Sequence, residues 1–273
     1  MYKMEKQVTI VMTVRENYSL TLQTIESLIE NTTLPYRFIF INYKVPEFII
    51  KSLIKYENIE IIISDSPYPS ISMYNVIPQI DTIYTIFLDN NILFTKLWLE
   101  KLIECMEFNN AGIVGPVYLW KKNKIHMYGG DTNITNNNFS ERHYLVDQDK
   151  NIVNTLKPRK CNFVEYHCLM IRTDLLKINN VLDPSLLIVH QHIDLSFAVK
   201  KLGYDTYVTP YSVITYVNDV KIEDYEKDFF KTRWNYDIVE KDIDYFCKKW
   251  KLNNNHFFNN VRNFAKTHIN KYL

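Results

Sequence analysis

A carboxylate followed by two amides stands where a buried strand is predicted to end, in the run Leu88–Asp89–Asn90–Asn91. A carboxylate at such a position can hold a divalent cation that bridges a diphosphate, or it can accept a hydrogen bond from a ribose hydroxyl. The same residue types also form ordinary polar turns, because Asp and Asn side chains accept hydrogen bonds from nearby backbone N–H groups. The run by itself leaves both interpretations open.

A second cluster, His190–Gln191–His192–Ile193–Asp194, carries two imidazoles and a carboxylate, a ligand set that suits zinc. The metallo-β-lactamase signature, however, has a further histidine directly after the aspartate and follows an early strand, whereas this run lies in the last third of the chain. The alternative is a solvated helix N-terminus, where Asp194 lies favourably at the positive end of the helix dipole. A metal hydrolase built on His190, His192 and Asp194 is therefore the less favoured hypothesis.

The strands and helices predicted in the first hundred residues determine where these polar side chains can lie. Apolar runs predict strands at residues 8–14, 37–43, 60–64 and 83–88, and helical spacing predicts helices at 22–31, from 46 and at 96–108. This order is typical of an α/β fold, with a mostly parallel, Rossmann-like central sheet flanked by helices. Ligands of such sheets bind at the carboxyl ends of the strands, here residues 13–17, 42–44, 65–67 and 89–91.

The second half of the chain follows a different pattern. Strands are predicted at residues 112–118, 163–171, 206–209 and 212–217, with a helix at 193–202. Residues 131–160 are polar and Asn-rich and predict a long excursion over the surface. From residue 221 onward the sequence is charged, aromatic and helical in period. We expect one mixed α/β domain, residues 1–217, with a helical C-terminal extension, residues 218–273, packed on it.

Composition excludes several classes of protein. The chain has 273 residues and a net charge of +1, which disfavours a sequence-independent grip on nucleic acid. Its four separated cysteines form no CxxC pair and favour a reducing compartment. We expect a cytoplasmic protein, since neither a signal peptide nor a membrane-spanning stretch is recognisable. With five glycines it lacks the GxGxxG and GxxxxGK[ST] signatures of dinucleotide and P-loop sites.

Five ordered segments resemble a family 2 glycosyltransferase, the inverting class with the type-A (GT-A) nucleotide-sugar-binding fold. They are VTIVMTVRENYSLTLQTIESLIENT; IDTIYTIFLDNNILFTKLWLEKL; AGIVGPVYLW with HMYGG; FVEYHCLMIRTDLL with VLDPSLL, HIDLSFAVKKLGY and VTPYSVITY; and YFCKKWKL. The resemblance covers about the first 217 residues. It implies transfer of a hexose-type sugar from a nucleotide diphosphate, UDP above all, to a carbohydrate or glycoconjugate acceptor.

The resemblance also assigns residues to the donor. Nucleotide contacts fall on Thr13, Arg15, Glu16, Asn42, Asp65, Asn75 and Asp89. Asp89 matches the first aspartate of the family's Asp-x-Asp metal motif, and Asn91 replaces the second. An amide oxygen can still ligate Mg²⁺ or Mn²⁺, but the site loses one negative charge. We therefore expect a weakened metal site on Asp89 and Asn91.

Two further positions depart from the family pattern. The acidic Glu-Asp-x-Asp motif, whose first aspartate deprotonates the acceptor hydroxyl, has become Gln191, His192, Ile193 and Asp194. A histidine can serve as the base, since its ordinary pKa near 6.5 suits proton transfer at neutral pH, so His192 and Asp194 are the catalytic candidates. Tyr216 occupies a strand end where many members keep a metal-binding histidine, and a phenol is a poor ligand for a hard cation.

Three outcomes remain compatible with these departures: transfer with a weakened metal site, metal-independent transfer, and a catalytically silent module that binds a sugar nucleotide or glycan. In the first two, the negative charge of the leaving diphosphate must be stabilised. The candidates for this role are Arg15, Lys121, Lys122 and Arg233. Trp234 is a candidate lid over the acceptor site.

Overall fold

The chain forms an α/β body followed by a helical C-terminal segment, and a computed structural model describes residues 7–120, 123–218 and 221–272 of it. Its first half contains β1 (Val8–Thr13), α1 (Thr21–Asn31), β2 (Tyr36–Asn42), α2 (Glu47–Leu53), β3 (Ile59–Ile63), α3 (Pro69–Val76), β4 (Tyr84–Asp89), β5 (Ile92–Phe94) and α4 (Trp98–Phe108). The predicted alternation of strands and helices is confirmed.

The second half begins with β6 (Ile113–Trp120), β7 (Lys124–Met127), β8 (Gly130–Thr135), β9 (Asn138–His143), β10 (Arg159–Cys161), β11 (Cys168–Arg172) and α5 (Thr173–Leu176). It continues with α6 (Gln191–Lys201), β12 (Thr206–Tyr216), α7 (Lys227–Arg233), α8 (Tyr236–Trp250) and α9 (Asn259–Tyr272). Two predictions need correction. The strand expected over 163–171 starts only at Cys168, and the two strands expected at 206–217 are one strand with an irregular register between Thr209 and Val213.

The sheet has the strand order β10–β12–β6–β11–β4–β1–β2–β3. The half formed by β3, β2, β1 and β4 is parallel, as the crossover helices require. The other half is mixed, because β11 lies antiparallel between β4 and β6. This insertion matters for the site, since the residues that precede β11 meet the carboxyl end of β4. The backbone N–H of Asp89 donates to the carbonyl of His167 there, at 3.1 Å.

The sheet is covered on both faces by apolar side chains. Every residue of β1 and β4 is buried, as expected for continuous apolar runs in a parallel sheet. Trp98 of α4 is fully buried and its indole N–H donates to Thr32 Oγ1 at 2.9 Å, so it serves packing. None of the helices in the described ranges is long and apolar enough to cross a membrane.

The C-terminal helices are held on the body by buried carboxylates. Glu226, just before α7, accepts hydrogen bonds from the backbone N–H groups of Tyr18 and Ser19 in the segment after β1. Asp242 of α8 accepts from the backbone N–H groups of residues 187–189, which precede α6. Helix α7 is thereby placed beside the carboxyl end of β1. The division of the chain at residues 217 and 218 stays a prediction.

Candidate active site

Asp89, at the end of β4, is already engaged by two neighbours. Its Oδ2 accepts from Arg15 Nη1 at 2.9 Å and lies 2.9 Å from His167 Nδ1. All three side chains are largely shielded from solvent. Burial lowers the pKa of Arg15, but the charge of Asp89 together with the other nearby acidic groups outweighs burial, and the pKa is raised overall. The predicted donor residues Arg15 and Asp89 thus form a buried ion pair.

Asn90 explains why Arg15 stands beside Asp89. Its side-chain oxygen accepts from the backbone N–H of Arg15 at 3.1 Å. Its amide group donates to the carbonyl of Asn17 at 2.6 Å and to Thr21 Oγ1 at 2.9 Å. The middle residue of the Asp-x-Asp position is therefore a structural clamp that holds the loop after β1 against the end of β4.

The donor set around Asp89 does not fit a divalent metal ion. Asn91 Oδ1 is buried and has no hydrogen-bond partner in the described ranges, but it carries no charge. The ring of Tyr216 stacks on His167 at 3.9 Å between centroids, and burial raises the pKa of this phenol well above its ordinary value. No three His, Cys, Asp or Glu side chains among the described residues are arranged to hold a metal. The one carboxylate, on Asp89, is neutralised by Arg15.

A second cluster of titratable side chains surrounds Glu165, which precedes β11. Its Oε2 is 3.8 Å from His192 Nε2, and its Oε1 is 3.6 Å from His143 Nε2. Burial raises the pKa of Glu165, but the surrounding basic groups, His192 first among them, together outweigh burial, and the pKa lies below its usual range. Burial lowers the pKa of His192 to about 4. At neutral pH, then, an ionised Glu165 faces a neutral His192.

Glu141, on β9, has a raised pKa, in contrast to Glu165. Its Oε2 is buried without a hydrogen-bond partner in the described part of the chain. Burial, with the charge of Glu165 added, raises its pKa to about 8. The two carboxyl groups therefore stand in different protonation states at neutral pH, a separation that often marks acid–base sites.

The His190–Asp194 run does not converge on one point. Asp194 accepts from Lys249 Nζ at 2.8 Å and from the indole N–H of Trp250 at 2.8 Å. The ring of His190 stacks on Phe246, with centroids 4.9 Å apart. Residues two apart on a helix do not share a face, which is why His190 and Asp194 contact α8 whereas His192 lies beside Glu165. The geometry gives a metal hydrolase no site here.

A small cleft opens at the carboxyl ends of β1 and β2. Its lining includes Thr13, Tyr43, Ser66 and Phe229. Thr13 Oγ1 is buried and lacks a hydrogen-bond partner among the described residues. Phe229, from α7, stacks on Tyr18 at 5.0 Å. Aromatic rings and hydroxyl groups therefore line this cleft together.

The remaining predicted donor residues lie at unequal distances from that cleft. Asn42 Oδ1 accepts from the backbone N–H of Val45 at 3.0 Å and shapes the turn after β2. Asp65 and Asn75 are exposed and do not line the cleft. The structure thus brings Thr13 and Arg15 to the site but leaves Asp65 and Asn75 outside it.

A neighbouring cleft is lined by Glu16, Asn17, Phe230 and His268, among others. Glu16 lies 3.7 Å from Arg15 Nε and 3.9 Å from His268 Nε2. Its pKa is lowered: burial opposes the shift, and hydrogen bonding to His268 together with the charge of Arg15 outweighs burial. Glu16 therefore closes the Arg15 side of the site against α9.

Arg233, at the end of α7, is 3% exposed. Its Nε and Nη1 have no hydrogen-bond partner within the described ranges. Burial and the nearby Arg15 lower its pKa to about 10, so it remains charged at neutral pH. Trp234 is buried against Phe264 at 5.1 Å, which is packing rather than a lid. Lys121 and Lys122 lie outside the described residues.

Four residues of the site were not identified from the sequence: Glu141, His143, Glu165 and His167. The predicted strand over 163–171 hid two of them, since a regular strand would have buried alternate side chains in the sheet. The other two fell in the polar excursion, which forms the hairpin of β8 and β9. A carboxylate followed by a histidine two residues on, at Glu165–Tyr166–His167, was the available signal.

Both the sequence and the fold are similar to those of known proteins. The sequence model of the family described as Glycosyl transferase family 2 matches residues 9–177. A structure of GalNAc-T7 with UDP, GalNAc and Mn²⁺ has a TM-score of 0.62 at 14% identity, covering 98% of this chain and 55% of that one. A structure of S. aureus TarS 1-349 in complex with UDP-GlcNAc has a TM-score of 0.53 at 10% identity, covering 86% and 66%. A search among curated proteins found no significant match.

At these identities the likeness to solved structures shows the fold alone, which is the GT-A fold. The chain spans between about half and two thirds of the length of those two structures. The sequence match is stronger evidence of relationship, because it takes in more than half of the chain, from β1 through β4 to β11. The chain belongs to glycosyl transferase family 2.

Proposed function

We propose that the protein is an inverting glycosyltransferase that moves a hexose-type sugar from a UDP donor to a carbohydrate or glycoconjugate acceptor. Family membership supports sugar transfer, and both solved structures were obtained with uridine nucleotides, UDP in one and UDP-GlcNAc in the other. The aromatic cleft at the ends of β1 and β2 supports a planar base on the donor.

One observation carries the catalytic part of the proposal. His192 Nε2 is buried, has no hydrogen-bond partner among the described residues, and lies 3.8 Å from the carboxylate of Glu165. A neutral imidazole with a free lone pair can accept a proton, and a fixed carboxylate stabilises the imidazolium that forms. We assign His192 as the base and Glu165 as the residue that positions it and stabilises its charged form.

The reaction is a single in-line displacement. The acceptor oxygen attacks the anomeric carbon and loses its proton to His192, while the bond from that carbon to the diphosphate oxygen breaks. The electron pair leaves with the UDP, and the configuration at the anomeric carbon is inverted. Attack from the side opposite the leaving group needs the base and the diphosphate on opposite sides of the sugar.

Asp194 has a structural role in this proposal. Its two oxygens are occupied by Lys249 and Trp250, and it is 2% exposed. A carboxylate held this way cannot reach an acceptor without giving up a buried ion pair, which costs several kcal/mol. It ties α6 to α8.

The test is release of free nucleotide from a panel of UDP-, GDP- and dTDP-sugars, with methyl glycosides as acceptors. We expect release from a UDP-hexose by the wild type, loss of it in His192→Ala, and partial retention in His192→Asp, which restores the family's usual carboxylate base. Proton NMR of the product reports whether the anomeric configuration inverts.

Each other outcome has a definite meaning. UDP binding without release from any donor would point to the silent binding module. Full activity in His192→Ala would remove the base assignment, and a product with retained configuration would refute the single displacement. Nucleotide release only from GDP- or dTDP-sugars would show that the donor carries that nucleotide instead of UDP.

A further inference from the structure

The carboxylate that a metal ion would use is bound instead by a cation of this chain. Arg15 Nη1 lies 2.9 Å from Asp89 Oδ2, and the side chains are only 18% and 4% exposed. The same oxygen is also 2.9 Å from His167 Nδ1. A divalent ion at Asp89 would have to displace the guanidinium or share the carboxylate with it, and like charges in such a shielded place repel strongly.

A second buried cation, Arg233, lies near Arg15, and some of its N–H groups have no acceptor among the described residues. Arg233 is buried, and its Nε and Nη1 find no hydrogen-bond partner within the described ranges. Its guanidinium interacts electrostatically with Arg15, Glu16 and Asp89. Leaving buried donors of a charged group unpaired is costly, so a partner from outside the chain is the simplest account. Planar guanidinium groups suit phosphate oxygens, which they can bind in a bidentate manner.

The position of α7 links this cation to the base cleft. Phe229 and Arg233 are four residues apart on that helix, so they lie on one face of it. Phe229 lines the cleft at the ends of β1 and β2. Arg233 stands one turn further along, near the Arg15–Asp89 pair. One helix therefore presents an aromatic ring to the cleft and a guanidinium to the Arg15–Asp89 pair.

We propose that Arg15 and Arg233 take the place of the divalent metal ion, so that the nucleoside diphosphate is bound and released without one. The proposal rests on the proposed function for the identity of the ligand. In the transfer step, the bond between the anomeric carbon and the β-phosphate oxygen breaks and its electron pair stays on that oxygen. The two guanidinium groups stabilise the added negative charge, and Asp89 with Asn90 keeps Arg15 in position.

Binding measurements test this without relying on turnover. The probes are UDP, uridine and Mn²⁺ alone, titrated into the protein by calorimetry, with Mn²⁺ binding also followed by electron paramagnetic resonance. We expect the affinity for UDP to be the same within about twofold in EDTA and in Mn²⁺, and Mn²⁺ alone not to bind to the Asp89 site. Arg233→Met should weaken UDP by about tenfold or more while uridine binding is unchanged.

A matched control lies on the same helix. Lys231 carries a side chain that is 58% exposed and paired at 3.8 Å with Asp228, and Lys231→Met should leave UDP affinity unchanged. Arg15→Met should instead make UDP binding dependent on Mn²⁺. Without the guanidinium, the side chains of Asp89 and Asn91 become available to bind Mn²⁺. Circular dichroism checks that each variant is folded.

Three results would overturn the proposal: loss of UDP binding by the wild type in EDTA with recovery in Mn²⁺, tight binding of Mn²⁺ alone to the wild type, or unchanged UDP affinity in Arg233→Met. The first two need no variant, so the proposal stays testable if a variant does not fold. Its failure is separable from that of the proposed function. Metal-free UDP binding without sugar transfer would refute the transferase and keep this inference, whereas Mn²⁺-dependent transfer would do the reverse.

Discussion

Replacing Glu165 by glutamine should slow sugar transfer strongly while leaving the fold intact. The side chain keeps its shape, and the backbone carbonyl of Glu165 still accepts from the hydroxyl of Tyr118. What is lost is the negative charge 3.8 Å from His192 Nε2. That charge matters most when His192 has taken the proton of the acceptor and become an imidazolium.

The size of the effect follows from that distance. Two unit charges about 4 Å apart interact by about 4 kcal/mol at an effective dielectric constant near 20. His143, at 3.6 Å, shares the same carboxylate, so we take roughly 2–4 kcal/mol as the loss from the transition state. This corresponds to a fall in kcat of about 30- to 1,000-fold. The affinity for UDP should change little.

The assay is release of UDP from the preferred donor at saturating donor and acceptor and at pH 7. Glu104→Gln is the matched control, because Glu104 lies on the surface of α4, is 61% exposed and pairs with Lys101. Removing this exposed charge should alter kcat by no more than about twofold. A kcat for Glu165→Gln close to that of the wild type would refute the reasoning, and so would an equal loss in both variants.

Three further outcomes follow from the same site. Since burial lowers the pKa of His192 to about 4, its imidazole stays neutral above pH 5, and kcat/KM should show no acidic limb between pH 5 and 8; a limb near pH 6.5 in a pH–rate profile would speak against this environment. Asp194→Asn should cost about 1–3 kcal/mol of unfolding free energy in urea denaturation, since Lys249 loses one partner, with kcat nearly unchanged; the reverse pattern would restore Asp194 as the base. Phe229→Ala should weaken uridine binding in calorimetry by about 1–3 kcal/mol through lost stacking. Replacing the exposed Tyr225 by alanine should have no effect. Equal losses in the two variants would mean that the uracil ring does not bind in this cleft.

The architecture was predictable because local patterns specify it. Continuous apolar runs fit strands that are covered on both faces, and β1 and β4 are buried throughout. The carboxyl ends of parallel strands must meet at one edge of the sheet, so Asp89 and the loop with Arg15 could be expected near each other. Their hydrogen bond joins residues 74 positions apart, and the sequence offered no sign that Arg15 would bind Asp89 itself.

Helix α6 illustrates a feature that the sequence pattern could not predict, namely which of its side chains faces the site. The sequence marks the start of this helix and the presence of His192 and Asp194 near it. Which of the two faces the site depends on the rotation of the helix against its neighbours. The structure turns Asp194 towards Lys249 and Trp250 of α8 and leaves His192 beside Glu165.

The sequence by itself therefore determined the α/β order of elements, the position of Asp89 at a strand end and the family, since each of these is written in adjacent residues. Only the tertiary structure decided the chemistry of the site. The antiparallel insertion of β11 brings Glu165 and His167 to the end of β4, and the packing of α7 brings Phe229 and Arg233 there. These partners come from distant parts of the chain, and side-chain charges act through space, so their pairing depends on the fold rather than on spacing along the chain.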